Sequence, residues 1–334
     1  MSDAFPLDEI DFLGADRFSA LGDAPVLTVD ATAWQPPVAH IHAVCIGIDS
    51  EGALPEVDFG HFDLLLTTAL DAPKPWVSVS PGRLAAHVED LAQTVREWPM
   101  AATIMCRVLR LSDGLAFGHA LEIESFAYSS LLGGSEFDRW RLSLPSQAIP
   151  AGEGPLVLVD RDADVVTLTL NHPSAMNAMT AAMRDALYSA LANVLDDPTA
   201  PNIVLQGAGK CFSTGGALGE FGTATDLAQA HVVRTVHSCA ALLDRLGPRA
   251  TVRLHGACVG SGLEVPAAAA RRLATQDAWF QLPELRMGLI PGAGGTASVA
   301  RTIGRHRTAW MLLSGKRIDA RLALAWGLIH GFVQ

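Results

Sequence analysis

The stretch FQLPELRMGLIPGAGGT, residues 280–296, decides how this chain is read. An apolar lead, Phe280 to Leu282, meets Pro283, and Glu284 follows between apolar neighbours in LPEL. A carboxylate in apolar surroundings is pushed towards its neutral form, as a general acid or base near neutral pH requires. The alternative is an exposed loop carboxylate. The end of the stretch, PGAGGT at 291–296, fits G-x-G-x-x-A once Ala297 is added, a weak dinucleotide fingerprint. Its context excludes that use. Pro291 stands where the preceding strand should end, and no acidic residue follows at ribose-binding spacing.

Working outward, two more glycine-rich turns follow strand-like runs. RLHGACVGSGLE, residues 253–264, ends in Glu264 among apolar neighbours. NIVLQGAGKCFSTGGALG spans 202–219. Such turns bring backbone N–H groups close to a ligand, and two N–H groups aimed at one oxygen form an oxyanion hole. Tight turns of an α/β fold are the plainer alternative. GSG at 260–262 is no nucleophile elbow, because Val259 replaces the first glycine of G-x-S-x-G. No His, Cys or Asp cluster has metal-ligand spacing. His231 and His237, six apart on a helix, read as ordinary surface or core residues.

Strands and helices alternate after the stretch LPSQAIPAGEGPLV (144–157), which carries three prolines and two glycines and marks a boundary near 150/151. Patterning predicts a strand pair over Leu156–Asp160 and Val165–Leu170 and a helix from Thr180 to about Leu195. It also predicts a strand over Asn202–Gly207, a helix over 224–246, a strand over Ala250–Gly256 and a helix over Gly262–Leu273 with Pro266 in its first turn. Before the boundary, residues 1–24 form a loose lead-in. Strands are expected at Pro25–Asp30, His42–Asp49 and Phe62–Thr68, then a break at Pro73, Pro75 and Pro81. Helices are expected from Arg83 to Pro99, over Met100–Leu109 and over Ala120–Phe137.

Composition narrows the function. The formal net charge of −11, with no basic run, excludes a phosphate-tracking nucleic-acid binder. Five cysteines (Cys45, Cys106, Cys211, Cys239 and Cys258) with no CxxC pair read as reduced thiols of a cytoplasmic protein. The acidic N-terminus lacks the basic region of a secretory signal, and no apolar stretch reaches membrane-spanning length.

Four ordered stretches together resemble the crotonase superfamily, the enoyl-CoA hydratases and isomerases. VVTLTLNHPSAMNAM (165–179) is similar to the family's N-x-P…N-A opening, and 202–218 to F-S-A-G-x-D-L. RLHGACVGSGLE is similar to G-x-x-x-G-G-G-x-E, and 280–296 to F-x-x-P-E-x-x-x-G-x-x-P-G-x-G-G-T. LLSGKRIDARLALAWGLIHGFV (312–333) resembles the T-G-x-x-I-x-A…G-L-V segment.

The resemblance implies an α/β fold, a crotonase-like spiral of β-β-α units over 154–334. It implies Glu264 and Glu284 as catalytic acid–base pair, and Gly216 and Ser261 as oxyanion donors. Ala175, Asn177, Ala178, Ser213, Thr214, Gly215, Gly260, Pro291 and Gly292 are the CoA and substrate contacts it implies. The expected chemistry is hydration of a 2,3-enoyl-CoA, with coenzyme A present only as part of the substrate and no other cofactor or metal. Isomerisation, thioester hydrolysis, decarboxylation and a non-catalytic acyl-CoA binder or assembly partner are the alternatives. A homotrimer or dimer of trimers goes with the family. Two positions depart from its pattern: Ala217 stands for the usual Asp, and Ser261 for the middle glycine.

The family normally continues past this point with helices that cover the site. Residues 83–142 resemble that tail, which typically reads A-x-x-L-A-x-x-I-A-x-x-P…A-L-x-x-E and a final E-F. FDLLLTTALDAPKPWVSV (62–79) faintly resembles A-C-D-L-x-x-A-x-x-A-x-F. Residues 1–150 are thus expected to be an α/β region that carries a displaced tail or a decayed second copy.

Overall fold

The N-terminal strand-like runs build a sheet of their own. The computed structural model describes residues 15–35, 41–144 and 154–333. In it β1 (Val26–Asp30), β2 (Val44–Asp49), β3 (Leu64–Thr67) and β4 (Val77–Ser78) lie side by side, all parallel. β2 and β3 are buried almost throughout, as in a parallel sheet covered on both faces. β4 corrects the expected break: it starts beyond Pro75, and Val77 registers with Leu66.

Helices α1 (Leu84–Glu97), α2 (Pro99–Ser112), α3 (Phe117–Leu132) and α4 (Ser135–Ser143) follow. Pro99 opens α2, where its missing N–H leaves no bond unmade. The single helix expected over 120–137 is two, because Gly133 and Gly134 interrupt it and the Gly134 N–H turns back to the Leu131 carbonyl at 2.9 Å. Glu136, in the first turn of α4, accepts from the N–H groups of Met100 and Ala101 at 2.8 and 3.0 Å and so caps α2. The expected boundary at 150/151 and residues 1–14 of the expected lead-in lie outside the described residues.

β5 (Val157–Asp162) and β6 (Val165–Leu170), the expected strand pair, run antiparallel. The Thr180 hydroxyl caps α5 (Ala181–Asp196) through Met183 N at 3.0 Å, and β7 (Asn202–Gly207) follows. The helix expected over 224–246 is broken into α6 (Leu227–Val236) and α7 (Cys239–Leu246). Ser238 sits between them with its hydroxyl accepting from Ala241 N.

Then come β8 (Ala250–Leu254), β9 (Ala257–Val259), α8 (Ser261–Glu264), β10 (Arg271–Ala274), β11 (Trp279–Gln281) and α9 (Gly295–Ile303). α10 (Arg305–Ser314), β12 (Ile318–Asp319), α11 (Ala320–Ala325) and β13 (Gly331–Phe332) complete the described chain. The helix expected over Gly262–Leu273 is wrong. α8 lasts one turn, Pro266 has no N–H to extend it, and Arg271–Ala274 pairs in register with β8 instead.

The long sheet runs β13-β10-β8-β7-β6-β5 and a small one β12-β11-β9. After β8 and after β10 the chain steps from the long sheet into the small one, as β9 and β11. After β7, Ser213 bridges Cys258 of β9 and does the same. Gly216, Ser261 and Glu284 each follow one of these small-sheet segments, so three separate turns converge at one end. Both halves share one core, in which Val44, Ile46 and Leu64 join Leu168, Leu205 and Val252. α10 docks on the N-terminal sheet by side chain to backbone bonds, Arg305 to the Phe62 carbonyl at 2.7 Å and Arg307 to the Ala72 carbonyl at 2.8 Å.

Candidate active site

The turn after β7 is shaped by Asn177. This residue is fully buried, with φ of 51°. Its amide nitrogen donates to the carbonyls of Ala208, Cys211 and Phe212, and its oxygen accepts from His172 N. Ser213, also fully buried, donates to the Asn177 carbonyl at 2.7 Å and accepts from Gly215 N at 3.2 Å. Both side chains are spent on backbone. They brace the turn.

Met179 and Gly216 bridge through their neighbours, Met179 N to the Gly215 carbonyl and Ala217 N to the Met179 carbonyl. Gly216 N is left without an acceptor among the described residues, as is Ser261 N at the start of α8. Beyond Ala217, Glu220 accepts from Ala181 N at 2.7 Å and ties this loop to the start of α5.

Glu264 is 3% exposed, and its Oε2 accepts from the N–H groups of Ala293 at 2.7 Å and Gly295 at 3.0 Å. Glu284 is buried in the turn after β11, and its Oε2 has no hydrogen-bond partner among the described residues. Gly260 makes room for it: φ is 51°, and a Cβ there would stand 2.7 Å from Glu284 Oε1. The Ser261 hydroxyl is a second buried polar atom without a partner. Native interiors rarely leave such atoms unmet, and these two face one cavity.

That cavity measures ≈ 250 Å³, and its wall includes Gly216, Ser261, Glu264, Glu284 and Gly292. Five residues named from sequence are therefore brought together. Ala175, Ala178, Thr214, Gly215, Gly260 and Pro291 are not part of this wall and shape the turns around it.

The family model described as enoyl-CoA hydratase/isomerase matches residues 160–334. This chain belongs to the enoyl-CoA hydratase/isomerase family, within the crotonase superfamily. It is 32% identical over 173 residues to the 2,3-dehydroadipyl-CoA hydratase of Escherichia coli, covering 52% of this chain and 67% of that one. It is also 32% identical over 179 residues to the "Probable enoyl-CoA hydratase echA8" of Mycobacterium tuberculosis, covering 53% and 68%. A crystal structure of an enoyl-CoA hydratase/carnithine racemase from Magnetospirillum magneticum superposes with a TM-score of 0.50 at 26% identity, covering 55% of this chain and 70% of that one. The chain spans about two thirds of the length of the curated relatives it matches.

The family match leaves residues before 160 outside it, yet those residues reach the cavity. Tyr128 of α3 is part of its wall, so close to Gly292 that a Cβ there would stand 2.7 Å from the ring. Glu124, one turn earlier, is 2% exposed. Its two oxygens accept from Gly294 N at 2.6 Å, and from Thr296 N and the Thr296 hydroxyl at 2.7 Å. Successive N–H groups at the start of α9 therefore alternate between two acids. Those of residues 293 and 295 go to Glu264, and those of 294 and 296 to Glu124. The sequence signal for Glu124 lay in Ala120-Leu121-Glu122-Ile123-Glu124, similar to the family's A-L-x-x-E, although no role was assigned to it.

Burial pushes the Glu264 carboxyl up to about 7, against the pull of the loop N–H groups. Burial, then the charge of Glu264, holds Glu284 well above the ordinary carboxylate range. The same two causes raise Glu124, resisted by its donors from Thr296 and Gly294. Two carboxyl groups with different proton affinities thus face one cavity beside two free N–H donors.

Proposed function

We propose that this chain hydrates a 2,3-enoyl-CoA. The observation that carries the proposal is that Glu264, held by two loop N–H groups, and Glu284, with Oε2 unmet, share one cavity with the Gly216 and Ser261 turns. Glu264, held by two N–H donors and titrating near neutrality, is the base. Glu284, without a donor on Oε2, keeps its proton and is the acid. The Gly216 and Ser261 N–H groups receive the thioester oxygen and stabilise the enolate. Glu264 takes a proton from water as its oxygen bonds to the β-carbon. The C=C electrons pass towards the thioester, and Glu284 delivers its proton to the α-carbon. One water is consumed, and the two acids have exchanged protonation states.

The test is loss of the enoyl thioester absorbance of crotonyl-CoA. Wild type should turn over, and Glu264→Gln and Glu284→Gln should each lose about 10²–10⁴-fold in kcat. Conversion of a 3-enoyl thioester to its 2-enoyl isomer, with crotonyl-CoA untouched, would replace hydration by isomerisation. Full activity in either variant would remove that acid from the mechanism.

Residues 83–142 serve in this proposal as the cover that the family's C-terminal helices supply. Support comes from Tyr128 in the cavity wall and from Glu124 on the loop of Glu264. Replacing Glu124 tests it, since an unrelated extension could lose that carboxylate without changing turnover.

A further inference from the structure

Enoyl hydration explains the acids of the cavity and leaves one of its cations unexplained. Arg234 of α6 stands in the same wall as Glu264 and Glu284. Its Nε donates to the Ser125 hydroxyl at 3.2 Å, and a terminal nitrogen to the Ser125 carbonyl at 3.3 Å and to the Ser129 hydroxyl. Its guanidinium carbon lies 4.8 Å from the centroid of the Tyr128 ring. Among the described residues no carboxylate makes an ion pair with it. Arg184, in the same wall, differs: it pairs with Asp185 at 2.8 Å.

A half-buried guanidinium that no carboxylate contacts is costly to keep. Holding α6 against α3 does not require it. His231 Nδ1 already meets the Ser125 hydroxyl at 2.9 Å, and Ser129 donates to the Leu227 carbonyl at 3.1 Å, so that seam has other hydrogen bonds of its own. The charge points to an anion in the cavity.

An acyl-CoA offers anions at two places, the nucleotide phosphates and the acyl chain. The pantetheine arm separates the thioester sulfur from the nearest phosphate by roughly 16 Å when extended, about five residues' worth of backbone. Arg234 lines the cavity that holds both acids, which in the proposed reaction is the acyl side of the thioester. We propose that the preferred acyl chain ends in a carboxylate that pairs with Arg234, so that the substrate is a dicarboxylic 2,3-enoyl thioester. Ser125 and Ser129 engage Nε and one terminal nitrogen, and the other terminal nitrogen, without a partner among the described residues, is left to donate to that carboxylate. The proposal rests on the acyl-CoA reading of the site and adds the class of acyl group.

Binding of two unreactive saturated thioesters, adipyl-CoA and hexanoyl-CoA, tests it without turnover. Wild type should bind adipyl-CoA at least about tenfold more tightly, Arg234→Gln should narrow that ratio to within about twofold, and Arg234→Lys should keep part of it. The matching 2,3-enoyl esters should show the same ratio in kcat/KM. Equal wild-type affinities would overturn the proposal. So would a loss in Arg234→Gln that falls equally on both esters, whether from a lost helix clamp or from a lost phosphate contact. Repeating the titration with 3′-dephospho esters separates those two. A preference for adipyl-CoA without hydration of any enoyl ester would uphold the carboxylate partner and remove the hydratase.

Discussion

Glu264 and Glu284 were legible as single residues because each is a carboxylate set among apolar neighbours, and burial does to both what that setting predicts. For Glu264 the consequence can be measured. Its folded value of about 7 lies above the ordinary 4.5, so the folded chain holds this proton more tightly than the unfolded chain. The resulting stability is complete below about 4.5 and is lost as pH rises towards 7. Glu264→Gln cannot ionise and escapes that loss. Its Tm relative to wild type should therefore climb between pH 4.5 and 7 and then level off. A difference independent of pH would show that the carboxyl titrates as an exposed one. Turnover should rise through about pH 7 as the base ionises and fall where Glu284 loses its proton, the two limbs belonging to the coupled pair. Less legible was the role of Asn177 and Ser213. Family pattern marks their positions, and only the fold shows that every polar atom they own is consumed by neighbouring backbone.

Among the elements, α3 was both the most readable and the most misread. Its apolar spacing was plain, and its end at Gly133-Gly134 was available in the sequence, yet the run was extended across both glycines. α8 failed for a related reason: Pro266 can sit in a first turn, and which strand claims Arg271–Ala274 is a non-local matter. Glu124 could not be placed from periodicity. Its position on the buried face of α3, with Ala120, Leu121 and Ser125, is where an apolar residue would ordinarily stand. Its value lies in N–H groups that meet it across 170 residues of chain. Glu124→Gln keeps the size but offers an amide NH2 where a donor must be accepted, leaving an N–H at the start of α9 unmet at about 1–3 kcal/mol. The expected result is a Tm lower by on the order of 5 °C and, because the same loop positions Glu264, a kcat reduced at least about tenfold. Unchanged kcat at reduced Tm would make Glu124 a helix cap and nothing more, and would remove the covering role of α3.

For the whole molecule, the family pattern made residues 160–334 readable and left the first half to be inferred from a faint likeness. The structure sets both halves around one core, with Ile46 and Leu64 packed in the same cluster as Leu168 and Val252, and Arg305 and Arg307 bonded to N-terminal carbonyls. Calorimetry should therefore record one cooperative unfolding transition, with van't Hoff and calorimetric enthalpies in agreement. Two resolved transitions would mean that the halves are separately stable. The alternation of loop N–H groups between Glu264 and Glu124 also bears on how the chain is made. A ribosome that has just added Glu124 is 170 residues short of Gly294, the first partner of that acid. At about 5–20 residues per second that is a wait of roughly 10–30 s. Through that interval the acid must stay in water. The pocket can therefore be completed only late in synthesis, although one wall of it is made long before the other.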